Sequence, residues 1–380
     1  MPTPYRNPTV FFCPSEDGLL AYDATTDQLH RLNAVASLIA ELCDGQRSDL
    51  EIQRLVKPVL PDGDGDEVRH CIAQGLEAGL FKTSAHAGPD YDPAALSKQL
   101  RADGKIEAAY ICQFNAAERE PDNPHHWTTL GEFGRILGRR AEARAAYERY
   151  LEMRPDDAEI RHLLVALRDE APPPRAADDV IKQLYARFAS YYESNMLGDL
   201  DYQAPRRISQ LVAELMPDRN SIATLDLGCG SGLAGVELHP RCARLVGIDL
   251  SRHMLDLARK RAIYDVLELA EINDWLTSCE DSFDLIVACD SLIYFGDLRQ
   301  TILPASSLLK PEGYLVFTLE CGDRTPYHLN DNGRYSHHPH YVREVAEEAG
   351  LEIVRLDQGY LRMEYGQEVT GLFVGLHIAS

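Results

Sequence analysis

The chain is short of positive charge. Lys and Arg number 38 against 60 Asp and Glu, a net charge of −22, spread along the sequence rather than held in one tail. Such a surface repels phosphate backbones, which excludes nucleic acid as a partner unless the fold hides a basic face. The nine cysteines are scattered, odd in number and contain no C-x-x-C pair, which speaks against a disulfide framework and a zinc site and for a reducing compartment. No apolar run is long enough to cross a bilayer, and Met1-Pro2-Thr3-Pro4 does not open a signal peptide, so no membrane partner and a cytoplasmic location are expected. At 380 residues there is room for two or three domains.

What is present begins with Thr224-Leu225-Asp226-Leu227-Gly228-Cys229-Gly230-Ser231-Gly232. It reads as a buried strand ending in an acid and three alternating glycines, with a helix from about Leu233. Glycines permit the sharp turn and let a ligand lie against the backbone. A second strand, Arg244 to Ile248, delivers Asp249, 21 residues after Gly228, where an acid is placed to hold the ribose of an adenosine-type ligand. Dinucleotide folds want G-x-G-x-x-G. Here the pattern is G-x-G-x-G with an acid two residues before it, and Gly247-Ile248-Asp249-Leu250-Ser251 follows. This resembles motif I of the class I S-adenosylmethionine (SAM) methyltransferases, in which the acidic turn faces the amino-acid end of the ligand. NAD binding and a purely structural glycine turn are the alternatives.

The rest of the C-terminal half fits that resemblance. A helix runs from Met254 to Lys260-Arg261, and Val266 to Ala270 is a third strand with Glu271-Ile272 at its tip, where the family contacts adenine. Phe283 to Ala288 is a central strand entering Cys289-Asp290-Ser291-Leu292-Ile293-Tyr294-Phe295, which resembles motif IV at the boundary of cofactor and acceptor. Strands follow at Tyr314 to Leu319, 352–356 and 371–378, the last two as an antiparallel hairpin. Tyr185, Phe188 and Tyr192 share one helical face. They lie in a segment, Tyr185 to Pro205, that resembles the approach helix of methyltransferases linked to tetratricopeptide (TPR) repeats. The resemblance thus implies a SAM pocket of Tyr185, Phe188, Tyr192, Asp226, Gly228, Cys229, Gly230, Gly232, Asp249, Leu250, Met254, Glu271, Ile272 and Asp290, with S-adenosylhomocysteine as product. No metal is implied.

The front of the chain has another character. Residues 9–14, 18–23 and 27–32 read as three short strands, and Ala34 to Leu42, a segment capped by Ser48, and Asp66 to Gly79 as three helices. This makes a winged-helix-like α+β unit. Gly18-Leu19-Leu20, Leu32-Asn33, Asp44-Gly45, Ser48, Glu51-Ile52 and Leu76-Glu77-x-Gly79-Leu80 resemble the PqqD-like family. That fold serves as the recognition element for leader peptides of ribosomally made, post-translationally modified peptides. The resemblance implies a leader added as a strand to the sheet edge. An accessory domain used for dimerisation is the plain alternative, and a homo-oligomer is compatible with it.

Between them lies an internal repeat. Gly104 and Gly138, Ala109 and Ala143, and Pro121 and Pro155 are each 34 residues apart. Trp127, Leu130, Gly131, Gly138, Ala143, Tyr147 and Pro155 resemble TPR positions, with Ala158 to Arg168 as a capping helix. Two repeats favour a spacer over a binding groove. Ala171-Pro172-Pro173-Pro174-Arg175-Ala176-Ala177 reads as a stiff linker. The expected division is therefore 1–88 PqqD-like, 89–170 TPR-like, 171–180 linker, and 181–380 a Rossmann-like α/β methyltransferase domain.

Methyl transfer needs alignment and a dry site, and a base only where the acceptor must lose a proton. The candidates for that chemistry are Asp290, Tyr294, Glu320 and His337, the last in a loop Gly333 to Tyr341 whose Gly-Arg-Tyr-x-His resembles a segment of TPR-linked methyltransferases. Tyr335 and His337 serving only to order that loop is the competing reading. Together the resemblances imply a SAM-dependent methyltransferase that modifies a ribosomally synthesised precursor peptide, leader at the front and core in the cleft. The alternatives are a small-molecule O- or N-methyltransferase of natural-product biosynthesis, with the front used for assembly, and a peptide-binding scaffold with a degenerate pocket.

Overall fold

The computed structural model describes residues 3–60, 65–83, 89–188, 202–364 and 366–378. Their contacts divide the chain into Met1–Pro155 and Asp156–Ser380, not at 88/89 or 170/171. Among the described residues no helix is long and apolar enough to cross a membrane.

In the first unit, β1 (Tyr5–Arg6) pairs with β5 (Phe81–Lys82), and β2 (Val10–Ser15), β3 (Gly18–Asp23) and β4 (Gln28–Asn33) form an antiparallel sheet in that order. Alternation sends side chains to opposite faces of a strand, and here both faces are covered. Val10, Phe12, Leu19 and Ala21 pack with Ile39, Ile52, Val56, Val68 and Ile72 of α1 (Ala34–Leu42), α2 (Asp49–Val56) and α3 (Gly65–Glu77). Phe11, Cys13, Leu20 and Tyr22 pack with Leu100 of α4 (Pro93–Ala102) and Ala109, Ile111 and Cys112 of α5 (Ile106–Arg119). The sheet is thus a wall shared by the front helices and the helical pairs, which is why no boundary falls near residue 88. In the second pair, α6 (Pro124–Ile136) and α7 (Arg140–Met153), a Cβ on Gly131 would lie 2.4 Å from the Tyr147 ring, so that glycine makes room for the tyrosine. Trp127 also packs against this helical core. It is half-buried and donates through Nε1 to the Pro121 carbonyl at 2.8 Å.

The second unit opens with α8 (Ala158–Leu167), which packs on α9 (Asp178–Phe188). The Pro-rich segment between them is no free linker. Gly296 and Asp297 donate to the Pro174 carbonyl, Ala176 donates to that of Tyr294, and the Tyr335 hydroxyl donates to that of Pro173. Then α10 (Ala204–Leu215) leads into the main sheet.

That sheet is built from β6 (Ile222–Leu227), β7 (Cys242–Asp249), β8 (Val266–Leu269), β9 (Phe283–Ala288), β10 (Leu309–Cys321), β11 (Tyr327–Leu329), β12 (Tyr335–His337), β13 (Leu351–Glu364) and β14 (Gln367–Ile378). Strands β8, β7, β6, β9 and β10 run parallel in that order; β14 joins β10 antiparallel and pairs with β13. Near-continuous apolar runs such as Leu285-Ile286-Val287-Ala288, all buried, suit a sheet covered on both faces. Helices α11 (Leu233–Leu238), α12 (Arg252–Arg261), α13 (Ile272–Ser278), α14 (Arg299–Ser307) and α15 (Pro339–Glu348) complete the layers. The strand order reverses at β6, leaving a crevice beyond its C-terminal end, the usual ligand position in an open α/β sheet.

The expected Gly333 to Tyr341 loop is in fact strand and helix. Residues Tyr335–His337 pair with both β10 and β11, and Pro339 opens α15 behind His338, whose side chain accepts from the His340 amide. Proline at the first helical position sets this start.

Candidate functional site

The crevice forms an open cleft that encloses about 800 Å³ of empty space, its solvent-open mouth included. Its floor is the turn after β6. Asp226 is 1% exposed, and Asp249 reaches across from β7 to accept from the Gly230 amide at 2.9 Å and the Ser251 amide at 2.7 Å. The second acid therefore pins the glycine turn as well as lining the cavity. Of the three motif glycines, only Gly230 (φ +55) has open space where a Cβ would point. Gly228 (φ +69) is forced by Ser291, 2.5 Å from its would-be Cβ, and Gly232 by Arg261 and Tyr264.

Among the expected cofactor residues, Tyr185, Asp226, Gly228, Cys229, Gly230, Asp249, Leu250, Glu271, Ile272 and Asp290 line the cavity. Gly232 and Met254 do not: Gly232 caps α11, and Met254 is fully buried in α12. The Phe188 side chain and Tyr192 lie outside the described residues. Tyr202, Arg175 and Ser231 also face the cavity. Two buried lining atoms have no hydrogen-bond partner, Ser231 Oγ and Glu271 Oε1, with Arg175 Nε 3.7 Å from the latter. A buried polar atom is costly unless paired. Both suit a polar ligand, Glu271 an amine donor such as that of adenine.

The four catalytic candidates separate. Tyr294 lines the cavity, its hydroxyl 3.2 Å from that of Tyr185, the two rings edge to face. Asp290 also lines it, in a left-handed conformation (φ +56) with its amide donating to Thr318 Oγ1 at 2.8 Å. Its carboxylate is taken by Arg362, whose Nη1 lies 3.2 and 3.1 Å from the two oxygens. Glu320 stands behind, bonded to the same guanidinium and away from the cavity. Arg362 is 1% exposed and also reaches Glu364, which Arg334 meets at 2.5 Å. Nothing in the sequence marked Arg362. It turns inward because a bulge between Tyr360 and Arg362 shifts β13 by one residue, so Leu361 and Arg362 are both buried.

His337 is not brought to the site. It is fully buried, contacts the Gly296 carbonyl through Nε2 at 3.1 Å, and stacks on Tyr341. Burial pulls its pKa down to about 4, against the backbone carbonyls that favour the charged form. A neutral core histidine that orders β12 cannot face a substrate. His338 caps α15 and His340 pairs with Glu344, so the three histidines point apart.

Residues 218–368 match the family model described as a methyltransferase domain. This part of the chain carries a Rossmann-like methyltransferase fold, and its cofactor is S-adenosylmethionine. The putative methyltransferase YqeM of Bacillus subtilis is 30% identical over 140 residues, 35% of this chain and 54% of that protein. Magnesium-protoporphyrin O-methyltransferase of Rhodobacter capsulatus is 25% identical over 167 residues, 39% of this chain and 70% of that protein. The crystal structure of the N-methyltransferase NodS from Bradyrhizobium japonicum WM9 with S-adenosyl-l-homocysteine aligns with 52% of this chain and 98% of that one, at 22% identity and a TM-score of 0.43. The chain spans about half the length of YqeM and of a second putative methyltransferase, from Geobacillus. These matches cover between 35% and 52% of the chain.

Burial pushes Asp226 up to about 7, with Asp249 adding to it, and Asp249 itself up to about 6. The sign follows from desolvation, which disfavours the charged form. Each acid folds most comfortably when neutral, so the stability it contributes is lost as pH rises through about 6 to 7. A cationic ligand with donor hydroxyls prefers both ionised. SAM affinity should therefore rise over that window while ligand-free stability falls, and binding near pH 6 should release protons. Calorimetry in buffers of different ionisation enthalpy checks this; affinity flat from about pH 5.5 to 8 would contradict it.

Proposed function

We propose that the protein is a SAM-dependent methyltransferase whose acceptor is a small molecule entering beside Tyr294 and Asp290. The observation that carries the reading is one cavity combining the Asp226 strand end, the open face of Gly230, the pinned Asp249 and a Glu271 oxygen that accepts no hydrogen bond. When bound, the sulfonium supplies an electrophilic methyl group; the chain has to hold and align. Asp249 is placed for the ribose, Asp226 for the amino-acid end and Glu271 for the adenine amine. Tyr185 and Tyr294 form a ring wall that keeps water from the reacting centre. Asp290 orients the acceptor rather than taking its proton, since protonation would cost its ion pair with Arg362. Relatives named for O-methylation of magnesium-protoporphyrin and for ubiquinone biosynthesis support a small acceptor.

One observation favours a peptide acceptor as a second reading. Among the described residues β4 pairs only with β3, and Gln28, Leu29, Arg31 and Asn33 on it are exposed, Leu29 to 47%. An open, partly apolar strand edge suits an added strand. In this reading the sheet edge within Met1–Pro155 holds the leader and the Asp156–Ser380 unit methylates the core. Full-length protein given SAM with a labelled methyl group, and offered either a small-molecule extract or a co-expressed precursor peptide, separates the two by mass spectrometry. Label in small molecules alone supports the first. Label in the peptide that depends on its leader replaces the first by the second.

A further inference from the structure

Three glycines, two from one helix and one from a strand of the cofactor domain, surround one tyrosine. Added Cβ atoms on Gly232, Gly235 and Gly247 would lie 3.0, 2.2 and 2.7 Å from atoms of Tyr264, which follows α12. Gly232 heads α11, Gly235 sits inside it, and Gly247 is in β7. A tyrosine ring needs that much space only if it must lie flat between helix and strand. Its hydroxyl then reaches Asp226 and donates to Oδ2 at 2.7 Å. Arg261, one turn earlier, donates through Nε to the Ser231 carbonyl at 2.6 Å, so the same segment grips the turn from both ends.

We infer that Tyr264 is a positioning residue for the methyl donor, acting through Asp226. Neither Tyr264 nor Gly235 lines the cavity, so neither touches the ligand directly. The hydroxyl fixes which Asp226 oxygen is spent inside the protein and which is left for the ligand, and it stabilises the ionised form of a carboxylate that burial otherwise keeps protonated. The other titratable groups acting with Asp226 are Asp249 at the end of β7, Cys229 in the turn, Cys242 at the start of β7 and Cys289 after β9; Arg261 faces Tyr264. Of these, only Tyr264 supplies Asp226 with a hydrogen bond that favours its charge. The motif's last glycine therefore serves this tyrosine rather than the ligand.

The inference rests on Asp226 facing the donor, and the experiment keeps the two apart. Calorimetric affinity for SAM is measured from about pH 5.5 to 9 on the full chain, wild type and Tyr264→Phe. The ring stays, so the glycine cradle remains filled. Loss of one hydrogen bond to a charged group predicts affinity down about tenfold at pH 7, with the affinity–pH curve displaced to higher pH. Gly235→Ala, whose methyl would strike the hydroxyl, is expected to move the curve the same way with Tyr264 intact. A uniform weakening with no displacement would reduce Tyr264 to a packing residue, and unchanged affinity in both variants would overturn the inference. A wild type that binds no SAM at any pH would remove the cofactor reading first and this inference with it.

Discussion

Alanine at Asp249 is expected to weaken SAM binding by about a hundredfold or more while leaving the chain folded. The carboxylate accepts from the Gly230 and Ser251 amides, and each such charge-assisted bond is worth about 1.5–3 kcal/mol. Removing it frees the turn whose open face receives the ligand and deletes the acceptor placed for the ribose. The fold tolerates the loss because this acid is strained toward neutrality: burial raises its pKa to about 6, so ionised Asp249 is a cost to the ligand-free protein near neutral pH. Thermal unfolding of the ligand-free variant should still show a cooperative transition, while calorimetry shows little heat on adding SAM. An affinity within about threefold of wild type, roughly half the energy of one net hydrogen bond, would mean that the ligand lies elsewhere in the crevice.

The second large effect is predicted at Arg362. Replacing it by methionine leaves Asp290, Glu320 and Glu364 around a buried apolar side chain. Removing one partner of a buried ionic network costs about 3–5 kcal/mol, because the remaining charges stay uncompensated. Arg334 can answer for Glu364, and at 3.7 Å partly for Glu320, but Asp290 has no second cation within ion-pair distance among the described residues. Denaturant unfolding should show the transition of the Asp156–Ser380 unit falling by that amount while the Met1–Pro155 unit holds. Arg362→Lys keeps the charge but not the fork that reaches two or three carboxylates at once, so it should recover only part of the loss. A methionine variant within about 0.5 kcal/mol of wild type would show that the three acids simply protonate or hydrate, and that the network does not set Asp290.

These two residues mark the limit of what could be read from the chain. Asp249 was legible because its signal is local: a strand, an acid at its end, and a fixed distance from a glycine turn. The same holds for Asp226, Gly230, Glu271 and Asp290, each at the tip of a parallel strand, and for the strands and helices of the front sheet. Arg362 was not legible, since a bulge rather than the strand period turned it inward. His337 misled for the opposite reason. A histidine beside a Gly-Arg-Tyr segment looks like a site residue, yet pairing of β12 with β10 and β11 buries it.

The amino-acid sequence by itself determined the α/β class of the C-terminal half, the cofactor turn and the short α+β front, because hydrophobic period, glycine spacing and strand-end acids are all set within a few tens of residues. Tertiary structure alone decided which atoms meet across the chain: that both faces of the front sheet are covered, that the Pro-rich segment is bound rather than free, that Gly228 and Gly232 answer to Ser291 and Tyr264, and that Asp290 is held by an arginine 72 residues later. Such contacts depend on which surfaces close on one another, and no repeat or spacing in the chain encodes that closure.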